Sequence, residues 1–154
     1  MIDVFLGLGS NLGNKKDNIM TCISRLEAHP ECSEITCSDI VETVAITKDE
    51  QPNYLNAVVR LFTSLSPKEL LEETQKIEVE MGRKNKGTYQ PRTIDIDILF
   101  YGDEVICEEG LTIPHPLVHE RGFVLTPLTQ LAPDFVHPIL QQTIEELCTP
   151  KVGY

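Results

Sequence analysis

The chain has no long apolar run. Nowhere in its 154 residues is there the stretch of roughly 18 apolar residues that a membrane-spanning helix needs, so no membrane partner is expected. Positive charge is also scarce: 13 Lys and Arg stand against 24 Asp and Glu, a formal net charge of −11. General nucleic-acid binding relies on cations that neutralise phosphates, and that class is set aside. The five cysteines, Cys22, Cys32, Cys37, Cys107 and Cys148, form no C-x-x-C pair. A zinc site or a disulfide framework is therefore not expected, and buried or half-buried free thiols are. No Gly-Lys-Ser/Thr phosphate loop occurs. Met1 to Gly7 lacks the basic region and the length of a signal peptide, so a cytoplasmic location is expected.

Length points to one domain over 1–154, which buries roughly two thirds of its unfolded surface and needs no staple. Ile2 to Leu8 reads as a buried strand, and Gly7 to Asn14 as a turn into a helix striped by Ile19, Ile23 and Leu26. Thr36 to Thr43 reads as a second strand. Tyr54 to Thr63 reads as a third, with Leu55, Ala57, Val59 and Leu61 on one face. Ser66-Pro67-Lys68-Glu69 is a helix start with a capping box, and the helix runs to Met81 with Gly82 as its terminator. Ile94 to Tyr101 reads as the fourth strand, with Val105 to Cys107 as its hairpin partner. Leu111 to Ile113 reads as a further short strand, and 121–131 and 143–147 as short helices. This order predicts an α+β, ferredoxin-like split βαβ sandwich: an antiparallel sheet with helices packed on it. The long connections 44–53 and 82–91 are expected to act as lids.

The densest chemistry lies in Pro91-Arg92-Thr93-Ile94-Asp95-Ile96-Asp97-Ile98-Leu99. On a strand, Asp95 and Asp97 share one face, with Cβ atoms roughly 6–7 Å apart. Two bare carboxylates held side by side repel one another, and a hard divalent cation removes that penalty. Arg92 suits bidentate contact with phosphate. The stretch from Met81 to Ile94 carries Arg83, Lys84, Lys86 and Arg92 and no acid, a basic island in an acidic chain. The alternative is a strand with one solvated acidic face.

Gly7-Leu8-Gly9-Ser10-Asn11-Leu12-Gly13 misses the dinucleotide fingerprint by one residue. It serves either as a plain strand-to-helix turn or as a place where ligand meets bare backbone beside Ser10 and Asn11. Tyr54 and Asn56 put a ring and an amide on one strand face, and Phe123 offers a second ring. Two rings suit a flat bicyclic ligand; the alternative is that Tyr54 and Phe123 are core residues. His115, held between Pro114 and Pro116, lies near Arg121 and suits a phosphate clamp. His29, His119 and His137 receive no role.

Together these motifs resemble the 6-hydroxymethyl-7,8-dihydropterin pyrophosphokinase family. They are Gly9-Ser10-Asn11-Leu12, the run from Gln51 to Ala57, Gln75-Lys76-Ile77-Glu78 with Gly82-Arg83, the run from Pro91 to Asp97, Pro114-His115 and Arg121-Gly122-Phe123. The resemblance implies transfer of pyrophosphate from ATP to the pterin's hydroxymethyl group, leaving AMP. It implies two Mg²⁺ ions on Asp95 and Asp97, which with Arg83 and Arg92 form the catalytic set. Gln75, Glu78, Arg83, Lys86, Arg92, Ile98, His115 and Arg121 would contact ATP. Thr43, Ile46, Tyr54, Asn56 and Phe123 would contact the pterin. A monomer acting on small molecules is expected. The chain departs from the family where Val44 stands in place of a proline after Thr43, and where Lys84-Asn85-Lys86 replaces a second arginine.

Overall fold

The computed structural model describes residues 1–43, 53–82 and 93–148. Its main sheet has the order β2-β4-β1-β5: β2 is Cys32–Cys37, β4 is Tyr54–Thr63, β1 is Ile2–Ser10 and β5 is Asp95–Tyr101. A short strand β3, Val41–Thr43, also pairs with β4. The β1–β4, β1–β5 and β2–β4 pairings are all antiparallel. With α1, Lys15–Ala28, and α2, Pro67–Glu80, this is the expected split βαβ arrangement.

One sheet face carries Val4, Leu6, Leu8, Ala57, Val59, Leu61, Ile96 and Ile98 into a core shared with α1 and α2. The helices present Ile19, Cys22, Ile23 and Leu26, and Leu70, Thr74 and Ile77, at the three-and-four spacing of one helix face. Each fully buried aliphatic side chain contributes about 1.5–3 kcal/mol. Both halves of the capping box form on α2: Glu69 N–H donates to Ser66 Oγ at 3.2 Å and Ser66 N–H to Glu69 Oε1 at 2.9 Å. Gly82, with φ of 104°, follows the C-terminal cap, a conformation that favours glycine.

The other sheet face packs Phe5, Val58, Leu99 and Phe100 against α3, Gly122–Leu131, and α4, Ile144–Cys148. A register shift makes this possible. Phe5 pairs with Phe100 and Leu6 with Ile98, leaving Leu99 as the extra residue of a bulge. The alternation that sends Ile96 and Ile98 to one core would send Phe100 there too. The bulge turns Phe100 to the second core instead.

Four expectations need correction. The strand β1 runs on through Gly7–Ser10, because those residues pair with both β4 and β5. The strand expected over Thr36–Thr43 is two strands, β2 and β3. Between them, Ser38 Oγ accepts the Val58 N–H at 2.9 Å in place of a main-chain partner. Within β2, Glu34 adopts a left-handed φ of 51° where the register shifts. The strand β6, Ile106–Glu108, pairs with β7, Leu111–Ile113, and not with β5; the Gly110 turn, at φ 78°, lets Leu111 and Ile113 reach the core. All five cysteines are free, but Cys37 and Cys107 are exposed. Burial pushes the Cys22 thiol up to about 12. The expected lids at 44–53 and 82–91 lie almost wholly outside the described residues. No helix among the described residues is long and apolar enough to cross a membrane.

Candidate active site

The centre of the second sheet face is flat. Gly7 and Gly9 of β1 pair with Asp97 and Asp95 on one side and with Val58 and Asn56 on the other. The strand thus brings the two carboxylates and the Asn56 amide to one face, separated by residues without side chains. Space over Gly9 is tight: a Cβ built there would lie 3.3 Å from Asn56 Oδ1 and 3.6 Å from Tyr54 Cδ1. The side chains of Asn56 and Tyr54 therefore lie against the Gly9 backbone. Ser10 and Asn11, by contrast, are fully buried, and Asn18 Nδ2 donates to Ser10 Oγ at 3.2 Å.

Thr43 and Asn56 meet as their register requires: Thr43 pairs with Tyr54, and Asn56 Nδ2 donates to Thr43 Oγ1 at 2.9 Å. This bond fixes the orientation of the Asn56 amide. Tyr54 is half-buried at the start of β4.

Asp95 and Asp97 are half-buried on the open face, while Ile96 between them is buried in the main core. Ile98 also turns its side chain to that core, so any contact it makes with a ligand on the opposite face comes from its main chain. Glu78, 2% exposed, reaches from α2 to accept the Ile96 N–H at 2.8 Å. Gln75 and Glu78, both expected at ATP, differ in setting: Glu78 is buried and Gln75 is exposed. Among the described residues no cluster of three His, Cys, Asp or Glu forms a closed metal cage. A pair of carboxylates is a donor set that suits Mg²⁺, which keeps waters and phosphate oxygens as its other ligands.

The segment after β7 delivers a histidine. His115 N–H donates to the carbonyl of Leu99, the bulge residue, at 3.0 Å, and Leu117 N–H donates to His115 Nδ1 at 3.2 Å. With Nδ1 accepting, the neutral ring carries its proton on Nε2. Arg121 immediately precedes α3, and its guanidinium lies 5.7 Å from the Phe123 ring centroid, a cation–π contact. Phe123 packs at the edge of the second core. The structure thus gathers Thr43, Tyr54, Asn56, Asp95, Asp97 and Phe123 on one side of the sheet. Ile46, Arg83, Lys86 and Arg92 lie outside the described residues.

These features define a ferredoxin-like α+β protein with paired carboxylates on an open sheet face. Residues 5–133 match the family model described as 7,8-dihydro-6-hydroxymethylpterin-pyrophosphokinase. The chain is 42% identical over 146 residues to the 2-amino-4-hydroxy-6-hydroxymethyldihydropteridine pyrophosphokinase of Aquifex aeolicus, covering 95% of this chain and 90% of that protein. It is 40% identical over 155 residues to the protein of the same name from Haemophilus influenzae, covering 99% and 97% of the two chains. The fold is similar to that of Plasmodium falciparum HPPK-DHPS, solved with pteroate, at a TM-score of 0.74 and 18% identity. That likeness covers 96% of this chain and 42% of the longer Plasmodium chain. The chain belongs to the 7,8-dihydro-6-hydroxymethylpterin-pyrophosphokinase family.

Proposed function

We propose that this chain transfers pyrophosphate from ATP to the hydroxymethyl group of 6-hydroxymethyl-7,8-dihydropterin, releasing AMP, in folate biosynthesis. Family membership supports the reaction. The observation that supports its location is the pairing of Asp97 with Gly7 and of Asp95 with Gly9, which sets two carboxylates beside glycine backbone on one sheet face.

Transfer of this kind needs positioning and charge neutralisation more than covalent chemistry. Asp95 and Asp97 would hold Mg²⁺, two ions in this reading, against the triphosphate. Mg²⁺ when bound spreads the charge that builds between attacking and leaving oxygens. His115 donates from Nε2, and Arg121 adds fixed positive charge on the phosphate side. Gln75, Arg83, Lys86 and Arg92 join them on ATP, with the Ile98 main chain. Glu78 stands behind this row and holds β5 through Ile96.

The pterin lies flat between Tyr54 and Phe123. Asn56, oriented by Thr43, reads the mixed donor and acceptor edge of the heterocycle, together with the main chain at Ile46. Arg121 rests against Phe123, so the ring that holds the pterin adjoins a charge that holds phosphate. This brings the hydroxymethyl oxygen to the β-phosphorus.

The chain acts as one domain and as a monomer, a reading supported by the kinked strand β2, where Glu34 and the register shift interrupt regular pairing. Five free thiols fit the cytoplasm. The test is product identity with ATP, Mg²⁺ and the pterin. Pterin-dependent AMP is expected. ADP, or AMP formed equally without pterin, would overturn the reading.

A further inference from the structure

Away from these residues, two reciprocal hydrogen bonds join the β2–β3 connection to α3. Asp39 N–H donates to Gln130 Oε1 at 3.0 Å, and Gln130 Nε2 donates to Asp39 Oδ2 at 2.7 Å. One amide group thus grips both the main chain and the side chain of a single residue. Its neighbour Ser38 is buried and fastened to β4 from both sides: Ser38 N–H donates to the Val58 carbonyl at 2.9 Å, and Val58 N–H to Ser38 Oγ at 2.9 Å. The sheet side of the clamp is therefore rigid.

What the clamp connects matters for the site. Two residues beyond Asp39, β3 begins and carries Thr43, which orients Asn56. Seven residues before Gln130, α3 carries Phe123, about 10 Å away along the helix axis at 1.5 Å per residue. The same end of α3 has a second polar anchor. Arg60, bonded twice to Asp3 at 3.0 and 2.7 Å, donates to the Leu131 carbonyl at 3.4 Å. The helix also buries the apolar side chains of Val124, Leu125 and Leu128. Apolar contact is non-directional and tolerates sliding, whereas paired hydrogen bonds fix a distance.

We propose that Gln130 is a positioning residue: through Asp39 it sets the spacing between Phe123 on α3 and Tyr54, Asn56 and Thr43 on the sheet. It thereby tunes affinity for the flat bicyclic acceptor without touching it. The inference rests on the pterin slot described under the proposed function.

The experiment measures equilibrium binding of 6-hydroxymethyl-7,8-dihydropterin, in the presence of a non-hydrolysable ATP analogue, and of the analogue alone. It uses the full chain and four variants. Gln130→Ala removes both hydrogen bonds, weakens pterin binding at least about fivefold, and leaves analogue binding within about twofold. Gln130→Glu sets two carboxylates against each other and weakens pterin at least as much. Asp39→Asn is silent, because its amide oxygen still accepts. The double variant Asp39→Asn with Gln130→Glu restores pterin binding, since the new amide donates to the new carboxylate and the main-chain N–H still finds an acceptor. Unchanged pterin affinity in Gln130→Ala, no restoration in the double variant, or equal losses of both ligands with a lowered melting temperature would each overturn the inference. Failure of the unsubstituted protein to bind pterin would overturn the slot reading and the inference together.

Discussion

Glu78 on α2 accepts the main-chain N–H of Ile96 at 2.8 Å, and Ile96 is the residue between Asp95 and Asp97. Among the described residues the strand that carries both carboxylates is last in the sheet order and pairs with β1. A buried side chain from the helix layer thus supplies an acceptor where a further strand would otherwise do so. Its charge is felt nearby: after burial itself, Glu78 is the next cause of the raised Cys22 thiol.

Replacing Glu78 by alanine leaves a buried N–H without this acceptor. The expected loss is about 2 kcal/mol of stability, together with lower turnover from a slackened β5. Glu78→Gln keeps an acceptor oxygen and should lose less of both. Urea midpoints and turnover for the two variants test this. Equal behaviour of alanine and glutamine would show that the hydrogen bond is not what holds the strand.

Phe123 forms the α3 wall of the proposed slot. Phe123→Ala is expected to weaken pterin binding about tenfold or more, the scale of a buried ring contact, and to spare ATP. Titrating each ligand separately gives the answer. Matched losses for both would point to a folding defect.

Gly9 is the position where the floor is tightest. The methyl of Gly9→Ala would meet Asn56 Oδ1 at 3.3 Å, forcing a shift of a few tenths of an ångström in the amide that Thr43 orients. The expected result is a KM for pterin raised by about an order of magnitude, with the melting temperature nearly unchanged. An unaltered KM would remove Asn56 from the pterin edge.

His137 predicts a pH dependence of stability. Its ring is 4% exposed, and Nδ1 accepts the N–H groups of Ile139 and Leu140, each at 3.1 Å. Burial first, and the neighbouring His119 second, hold its pKa below the ordinary imidazole value. The unfolded chain then takes up the proton more readily. The contribution to stability is full above about pH 6.5 and is lost as pH falls below that. His137→Asn keeps an acceptor for the same N–H groups without the titration. Urea midpoints between about pH 7.5 and 5 should fall more steeply for the unsubstituted protein than for the variant, and parallel curves would refute the assignment.

Where periodicity and capping chemistry act locally, the sequence was readable: the α2 start at Ser66, the alternation of β4 and the shared face of Asp95 and Asp97 all came from it. Features set by non-local pairing did not. Ser38 breaks the expected second strand because its hydroxyl accepts Val58 N–H across the sheet, and Leu99 bulges because Phe5 pairs with Phe100. The hairpin partner of Ile106–Glu108 was misassigned to β5 because adjacency in sequence outweighed the Gly110 turn. At the site, the carboxylates, rings and amide were named from residue type and resemblance. The Glu78 bond to Ile96 and the Gln130 clamp on Asp39 join elements whose contact no spacing reveals.

The most direct test of the account is Asp97→Ala, assayed for pterin-dependent AMP release with ATP and Mg²⁺, with pterin affinity measured on the same sample. The account predicts a loss of more than about 10³-fold in turnover, the scale of a charge-stabilising group, with pterin binding retained. Near-normal turnover would contradict the assignment of the Asp95–Asp97 face as the metal and phosphate site.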